Sequence, residues 1–189
     1  MKDTLDDLLT LIQEVSHLYT SNKRKVKEVI DAYPFDLASL DEFLEDPKGM
    51  PYGRRLLYND GEVEVILMNW DINSKCLPHD HGESEGWVKI LKGCASHGYY
   101  SNTNIVPKLT NEELINEGAV IFAPKNLVHH MANKMENSLV TLHFYFPPIS
   151  NMEVFDIDAA RAAIVSSDCG AWWPESREQL FKSRSLKCE

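Results

Sequence analysis

The chain lacks an apolar segment long enough to cross a bilayer as a helix. Its hydrophobic fraction of 43% over 189 residues is ordinary, but no apolar run approaches the roughly 20 residues that a spanning helix needs. Acidic residues also interrupt the apolar start of the chain, which argues against a signal peptide. We therefore expect a cytoplasmic protein with no membrane partner.

Basic residues are scarce as well. The chain has 19 Lys and Arg against 29 Asp and Glu, which gives a formal net charge of -10. Nucleic acids and anionic lipid surfaces select basic proteins, so we expect no nucleic-acid partner. The length is sufficient for one domain with a sizeable core, and we expect a monomer.

Cysteine is rare, and its spacing excludes two common kinds of site. The four cysteines, Cys76, Cys94, Cys169 and Cys188, are far apart and form no CxxC pair. Zinc ribbons and thioredoxin-like redox sites depend on such pairs. Without an export signal we expect reduced thiols, with Cys76 and Cys94 acting as small buried hydrophobes.

Helical patterns occupy the first part of the chain. Apolar residues at helical spacing predict helices between residues 4 and 46. A second helix is predicted at Lys23–Ala32, and a third at residues 37–46. The third has Ser39 as its candidate cap, with Glu42 three residues later. We expect these helices to form a layer that covers a sheet.

Strand patterns begin after Pro51. An Asn-Asp-Gly turn at residues 59–61 lies between β-rich stretches and predicts a hairpin. Further strand-like segments recur at short intervals, which favours a mainly β sandwich or barrel. The predicted strands are Glu62–Trp70, Trp87–Leu91, Ala95–Tyr100, Ala119–Phe122 and Leu139–Phe146.

These patterns predict one domain over residues 1–189. Residues 1–49 would form the helical layer, 50–155 the β core, and 156–189 a C-terminal segment. That last segment is less regular, and we predict a short helix around Asp158–Ile164.

Two histidines suggest a metal site. His79 and His81 are two residues apart, and in a strand such residues point to the same face. Imidazole suits Fe, Zn, Cu and Ni. A single His-x-His pair is common without a metal, so it is weak evidence by itself.

A second motif strengthens the metal hypothesis. The cupin pattern runs Gly, five residues, Pro, one residue, Gly, two residues, His, three residues, Asn. This chain has Gly118, Pro124, Asn126, His129 and Asn133 at those positions, and His79, His81 and Gly93 match the first cupin motif. The chain therefore resembles the cupin superfamily, which implies a small β-barrel. Asn73 and Asn126 stand where the motifs usually carry Gly, and Asn best tolerates the left-handed backbone among other residues.

The cupin resemblance also selects the ligands. It assigns the third ligand to His129, and strand alternation then turns its neighbour His130 away as a surface or packing residue. Most cupins add a Glu ligand, but here that position is Gly86. Glu85 is one residue out of register, and we expect it to face solvent. The expected site thus contains three histidines and no carboxylate.

Three longer pieces narrow the resemblance. "YGRRLLY", "PHDHGES" and "VHHMANKMENSLVTLHFYFPP" are similar to cysteine dioxygenase, over about residues 50–150. The resemblance implies an Fe(II) enzyme that uses O2 to oxidise L-cysteine to cysteine sulfinate, with iron held by His79, His81 and His129.

The same resemblance implies the remaining roles. Arg54, with Tyr52 on the same strand face, would bind the substrate carboxylate, which fits the fixed fork of guanidinium donors. Arg55 would face the other way, into solvent. His143 and Tyr145 would be catalytic, with the phenol reaching toward substrate and oxygen. Thr141 keeps a hydroxyl where the family usually has Ser.

Gly86 is the clearest departure from animal members of this family. Those members carry a Cys there that cross-links to the tyrosine corresponding to Tyr145, whereas glycine resembles bacterial members, which work without the bond. We therefore expect no cross-link in this chain.

Three alternatives remain open from the sequence. The substrate could be another small thiol acid such as 3-mercaptopropionate, although relatives that prefer it tend to have Gln in place of Arg54. A cupin sugar isomerase would need the carboxylate ligand that Gly86 replaces. A non-catalytic regulatory cupin would normally bring a DNA-binding module, and no basic helix pair is visible.

Overall fold

The structure, a computed structural model, describes residues 2–101 and 105–187. Cys188, which we expect to be a reduced thiol, lies outside these ranges. The two α-helices are α1 (Lys2–Ser21) and α2 (Arg24–Ala32). The strands are β1 (Tyr52–Asn59), β2 (Glu64–Trp70), β3 (Glu85–Lys92), β4 (Cys94–Tyr100), β5 (Leu109–Asn116), β6 (Val120–Ala123), β7 (His129–Ala132), β8 (Leu139–Phe146), β9 (Glu153–Asp156), β10 (Arg161–Val165) and β11 (Leu180–Ser185).

The strands form antiparallel sheets that face each other across one core. The larger sheet has the order β1-β2-β8-β3-β6, and two smaller sheets have the orders β5-β4-β7 and β11-β10-β9. The backbone of His79 links the smaller sheets, because it pairs with His129 on one side and Val154 on the other. The mainly β fold with N-terminal helices is confirmed, although the sheets do not close into a continuous barrel within the described ranges.

Strand β8 shows how the sequence separates the two faces of the larger sheet. All eight of its side chains are buried. Leu142, Phe144 and Phe146 pack in a cluster with residues of α1 and α2. Tyr145 instead belongs to an inner cluster with residues of the larger sheet and of the β5-β4-β7 sheet. Because successive strand residues point to opposite faces, the helices cover one face and the polar residues of β8 line the other. The expected helical layer over a sheet is thus confirmed.

The predicted third helix is wrong. Residues 37–46 contain only two single 3-10 turns, Leu37–Ser39 and Asp41–Phe43. The cap is Asp36, whose side chain accepts a hydrogen bond from the Ala38 N–H at 3.1 Å, and Ser39 Oγ donates to the Asp36 carbonyl at 2.6 Å. Such local side-chain bonds compete with a continuing helix, so the chain turns instead of extending.

The predicted helix at Asp158–Ile164 is also wrong, since this stretch leads into strand β10. Its alanines favour helix intrinsically, but β10 pairs with β9 on one side and β11 on the other. Ala162 and Ala163 are completely buried there. Tertiary pairing therefore overrides local preference. Strands β5, β9 and β11 were not predicted either.

Several local predictions are resolved by backbone geometry and burial. Asn73 and Asn126 adopt left-handed backbone with φ of 58° and 63°, as expected for residues in place of Gly. Cys76 is buried as expected, but Cys94 is only partly buried, because it follows the Gly93 turn at the start of β4. No described helix is long and apolar enough to span a membrane.

Glu85 does not face solvent. It is only 7% exposed and accepts a hydrogen bond from the Tyr19 hydroxyl at 2.9 Å. The same carboxylate oxygen forms an ion pair with Lys23. Residues of the first helix and the turn after it therefore hold Glu85 on the helix-covered face of the sheet, which explains both its burial and its absence from the inner site.

Replacing Glu85 with alanine is expected to lower the free energy of unfolding by about 1–3 kcal/mol, because the Tyr19 hydroxyl loses a charged acceptor in a partly buried contact. Metal content should stay unchanged. Denaturant unfolding and elemental analysis test these two expectations.

Glu83 offers a matched control for this substitution. Its side chain is 86% exposed and lies 3.6 Å from Lys125, so Glu83→Ala should change stability by less than about 0.5 kcal/mol. Loss of metal from Glu85→Ala would instead show that Glu85 is a ligand.

Candidate metal centre

Three histidines converge inside the fold. The ligand nitrogens of His79, His81 and His129 all lie within 4.8 Å of one another, and all three residues are buried. His81 Nε2 and His129 Nε2 are 3.1 Å apart. His79 lies on the segment that links β7 to β9, and His129 is the first residue of β7, so backbone pairing between the two sets their approach.

Burial keeps these histidines neutral. It lowers the pKa of His79 from 6.5 to about 4 and, together with the neighbouring histidines, holds the pKa of His81 and His129 well below that value. Neutral imidazole is the form that binds metals. His81 Nδ1 also lacks a hydrogen-bond partner among the described residues. A buried set of neutral, closely spaced ring nitrogens fits a metal ion.

Outer partners orient two of the three rings. His79 Nδ1 donates to the Leu77 carbonyl at 2.9 Å, and His129 Nδ1 shares a hydrogen bond with His97 Nε2 at 2.6 Å. Each contact leaves the Nε2 atom of its histidine available to a metal. His97, in β4, was missed by the sequence reasoning. Its only signal was a histidine within a strand segment that proved to be buried.

His130 lies outside this cluster, as expected for a packing residue. It is completely buried, with Nδ1 2.9 Å from the Tyr100 hydroxyl and Nε2 3.2 Å from Glu112 Oε1. Tyr100 belongs to β4, which pairs with β7, and Glu112 belongs to β5, on the other side of β4. Strand alternation thus separates the two adjacent histidines into different environments.

A chain of hydrogen bonds runs along the inner face of β8. Trp70 Nε1 donates to Thr141 Oγ1 at 3.0 Å, Thr141 Oγ1 lies 2.8 Å from His143 Nε2, and His143 Nδ1 lies 2.8 Å from the Tyr145 hydroxyl. The indole N–H only donates, so Thr141 accepts it. In the tautomer with the proton on Nδ1, His143 accepts from Thr141 at Nε2 and donates to Tyr145, which directs the phenol proton elsewhere.

Burial fixes the protonation states of His143 and Tyr145. It lowers the pKa of His143 to about 3 and raises the pKa of Tyr145 well above 10. At neutral pH the imidazole is therefore uncharged and the phenol keeps its proton. Trp70, the first member of this series of hydrogen bonds, was not identified as a site residue from the sequence.

Arg54 and Tyr52 line the same cavity as His79, His129 and Tyr145. Arg54 Nη2 lies 3.3 Å from Oε1 of Glu64, a further residue that the sequence reasoning missed. The guanidinium of Arg54 and the rings of His79 and His129 therefore line one cavity. This arrangement suits a small ligand that carries both a carboxylate and a metal-binding group.

The partners of the two arginines and of Tyr52 differ. Glu64 is buried, and its second oxygen accepts the Ile149 N–H at 3.2 Å. Arg55 faces the other way and pairs with Glu45 at 2.9 Å. The Tyr52 hydroxyl accepts the Ala171 N–H at 2.7 Å, so it also fixes the C-terminal part of the chain.

Gly86 lies directly opposite Tyr145 in the β3–β8 pairing. A Cβ atom at this position would be 2.6 Å from Tyr145 Cδ1 and 2.9 Å from Cε1. These distances are too short for an ordinary contact. The absence of a side chain at residue 86 therefore allows the phenol ring to lie against the neighbouring strand.

The chain is similar to one protein family and to several solved structures. Residues 1–158 match the family model described as cysteine dioxygenase type I. Among solved structures, an uncharacterized conserved protein with a double-stranded β-helix domain from Klebsiella pneumoniae is similar with a TM-score of 0.53, at 13% identity over 65% of this chain and 91% of that chain. This likeness supports the double-stranded β-helix fold.

Two further solved structures are similar to this chain at lower TM-scores. The TT1209 protein of Thermus thermophilus has 18% identity over 60% of this chain and 96% of that chain, with a TM-score of 0.48. The Cnp3 cupin domain of Schizosaccharomyces pombe has 10% identity over 60% and 73%, with a TM-score of 0.47. With the family model matching most of its length, this chain belongs to the cysteine dioxygenase type I family.

Proposed function

We propose that this protein is an iron-dependent dioxygenase that oxidises L-cysteine with O2 to cysteine sulfinate. Family membership points to a thiol dioxygenase, and the three-histidine group can hold a metal ion. The observation that carries the proposal is the cavity itself. It is lined by Arg54 together with His79, His129 and Tyr145.

His79, His81 and His129 would hold the iron, as their neutral, buried ring nitrogens support. Imidazole ligands suit iron among other metals. When bound, iron would activate O2 and favour the thiolate of a coordinated thiol. Both oxygen atoms are added to the sulfur, and the thiol supplies all four electrons, so no external reductant is needed.

Arg54 would bind the carboxylate of cysteine. A guanidinium has five N–H donors in a fixed plane, and Glu64 accepts one of them at 3.3 Å. Glu64 is held in turn by the Ile149 N–H, so the guanidinium is oriented before substrate arrives. Pre-orientation of this kind reduces the cost of ordering side chains on binding.

Tyr145 would donate a hydrogen bond to the substrate or to oxygen. His143 in the Nδ1–H tautomer would donate to the phenol oxygen and leave the phenol proton available to the cavity. The raised pKa of Tyr145 keeps that proton in place at neutral pH. His143 then acts by orienting the phenol.

Anaerobic loading with Fe(II), followed by O2 uptake with a panel of thiols, tests the proposed function. L-Cysteine should be consumed with one O2 per sulfinate, and faster than 3-mercaptopropionate or cysteamine. A clear preference for 3-mercaptopropionate would reassign the substrate. Absence of O2 uptake with every thiol would remove the catalytic proposal and favour a non-catalytic metal-binding cupin.

Replacing Tyr145 with phenylalanine is expected to slow sulfinate formation at least about tenfold, the scale of one lost hydrogen bond of about 1.4 kcal/mol. Iron content should not change, because the ring and its packing remain. Parallel measurement of O2 uptake and sulfinate by chromatography would also reveal uncoupling of the two.

Gly86→Ala provides the steric counterpart, because the added Cβ meets the Tyr145 ring. It should lower activity while the phenol is still present.

The wild-type protein should keep its unmodified mass after turnover, because Gly86 offers no sulfur for a cross-link to Tyr145. A cross-link from Tyr145 to Cys76 or Cys94 would contradict this assignment.

His97→Ala is expected to weaken iron binding about 10- to 100-fold, the usual effect of removing the outer partner of a metal-binding histidine. Competition with a chromogenic chelator measures this affinity. His97→Gln, which keeps a polar group near His129 Nδ1, should recover part of the loss. Unchanged affinity in His97→Ala would show that the contact with His129 does not orient the ligand.

A further inference from the structure

The C-terminal part of the chain contributes to the wall of the substrate cavity. Residues 166–172 follow strand β10 and lie beyond the 158 residues that the family model matches. Ser167, Cys169 and Gly170 nevertheless line the cavity together with Arg54 and His79. We call residues 166–172 the closing segment.

Two hydrogen bonds fix the closing segment to chain segments that carry site residues. The Ala171 carbonyl accepts the Leu77 N–H at 2.8 Å, two residues before the candidate ligand His79. The Ala171 N–H donates to the Tyr52 hydroxyl at 2.7 Å, two residues before Arg54. One residue thus ties the segment both to the chain just before His79 and to the strand that carries Arg54.

Aromatic packing also fixes the position of the closing segment. The Trp172 ring lies so close to Gly170 that a Cβ there would be 2.0 Å from Trp172 Cζ3. Trp172 also packs against the Tyr52 ring, with 5.2 Å between the ring centroids. Its neighbour Trp173 instead lies over the guanidinium of Arg161, at 3.8 Å. Only the first of the two tryptophans contacts the cavity-lining residues Gly170 and Tyr52 in this way.

We propose that the closing segment limits the size of the molecules that reach the histidines, with Cys169 and Trp172 as the residues that set this limit. The inference rests on the proposed function for its substrate class, a short, unsubstituted thiol amino acid. Cys169 is 2% exposed and lines the cavity together with Arg54. A thiol acid with a longer chain or an acylated amine would have to displace this wall.

Alkylation of the cavity thiols tests closure without any catalytic readout. Cys76 and Cys169 both line the cavity, whereas the partly exposed Cys94 does not and serves as an internal reference. Iodoacetamide should modify Cys76 and Cys169 slowly in the wild-type protein. The rate should rise at least about tenfold in Trp172→Ala and stay unchanged in Trp173→Ala, as followed by peptide mass spectrometry.

Substrate selection provides the second readout. In Trp172→Ala, kcat/KM for N-acetylcysteine or homocysteine relative to L-cysteine should rise at least about fivefold, and the ratio should not change in Trp173→Ala. If Trp172→Ala does not fold, as judged by circular dichroism, Trp172→Leu takes its place.

The outcomes separate the two proposals. Fast alkylation of Cys76 and Cys169 in the wild-type protein would overturn the proposal that the closing segment limits access to the cavity. Equal effects of the two tryptophan variants would overturn it as well. If the iron-loaded wild type oxidises no thiol, the proposed function and the substrate class fall, while alkylation still decides whether the segment closes the cavity.

Discussion

Replacing His79, His81 or His129 with alanine is expected to remove nearly all bound iron. Among the described residues the ligand set contains three histidines and no carboxylate. Each substitution therefore removes one of the three ligand atoms that the protein supplies. The loss of affinity should exceed the 10- to 100-fold effect typical of outer partners. Elemental analysis after anaerobic Fe(II) loading and desalting measures it, and circular dichroism checks that each variant is folded.

His130→Ala is the matched control for these three substitutions. It lies next to His129 in β7 but faces Tyr100 and Glu112. The variant should keep its iron, although it should lose about 1–3 kcal/mol of stability because buried hydrogen bonds are removed. Iron loss equal to that of His129→Ala would mean that the strand register is wrong.

Arg54→Ala is expected to raise the KM for L-cysteine steeply. Removing one partner of a buried, hydrogen-bonded charge pair costs about 2–5 kcal/mol, or roughly 30- to 4,000-fold in affinity. The preference for L-cysteine over cysteamine, which has no carboxylate, should disappear at the same time. Steady-state O2 uptake at increasing concentrations of both thiols measures these effects.

The ion pair with Glu64 calls for a second variant. Arg54→Ala leaves the buried Glu64 carboxylate without its guanidinium partner, which should also lower stability. Combining Arg54→Ala with Glu64→Gln should recover stability but not the KM for L-cysteine. Recovery of both would assign the effect of Arg54 to folding instead of substrate binding.

Arg55→Ala separates the role of Arg54 from general charge effects. Arg55 pairs with Glu45 on the exposed side of β1, where both side chains are more than a third exposed. Its removal should leave the KM for L-cysteine unchanged. A wild-type protein that turns over cysteamine as well as L-cysteine would leave the assignment of Arg54 without support.

Features that follow from strand alternation could be predicted from the sequence alone. His79 and His81 share a site while His130 is turned away from His129, and Arg54 lines the cavity while Arg55 does not. The separation of each adjacent pair depends on the two-residue period of a strand, which is a local property of the backbone. His79 and His81 also share the site, although they lie between β2 and β3 and not within a strand. The left-handed turn at Asn73 is equally local. The division into residues 1–49, 50–155 and 156–189 within one domain stays a proposal.

Features that depend on contacts between distant residues could not be predicted in this way. His97 reaches His129 from another strand. Glu85 is buried because Tyr19, 66 residues earlier in the chain, donates a hydrogen bond to its carboxylate. The alanine-rich stretch before β11 became a strand because partners were present on both sides. The sequence by itself therefore determined which residues share a face. Only the tertiary structure decided what each face contacts, because burial and hydrogen-bond partners arise from pairing across the whole chain.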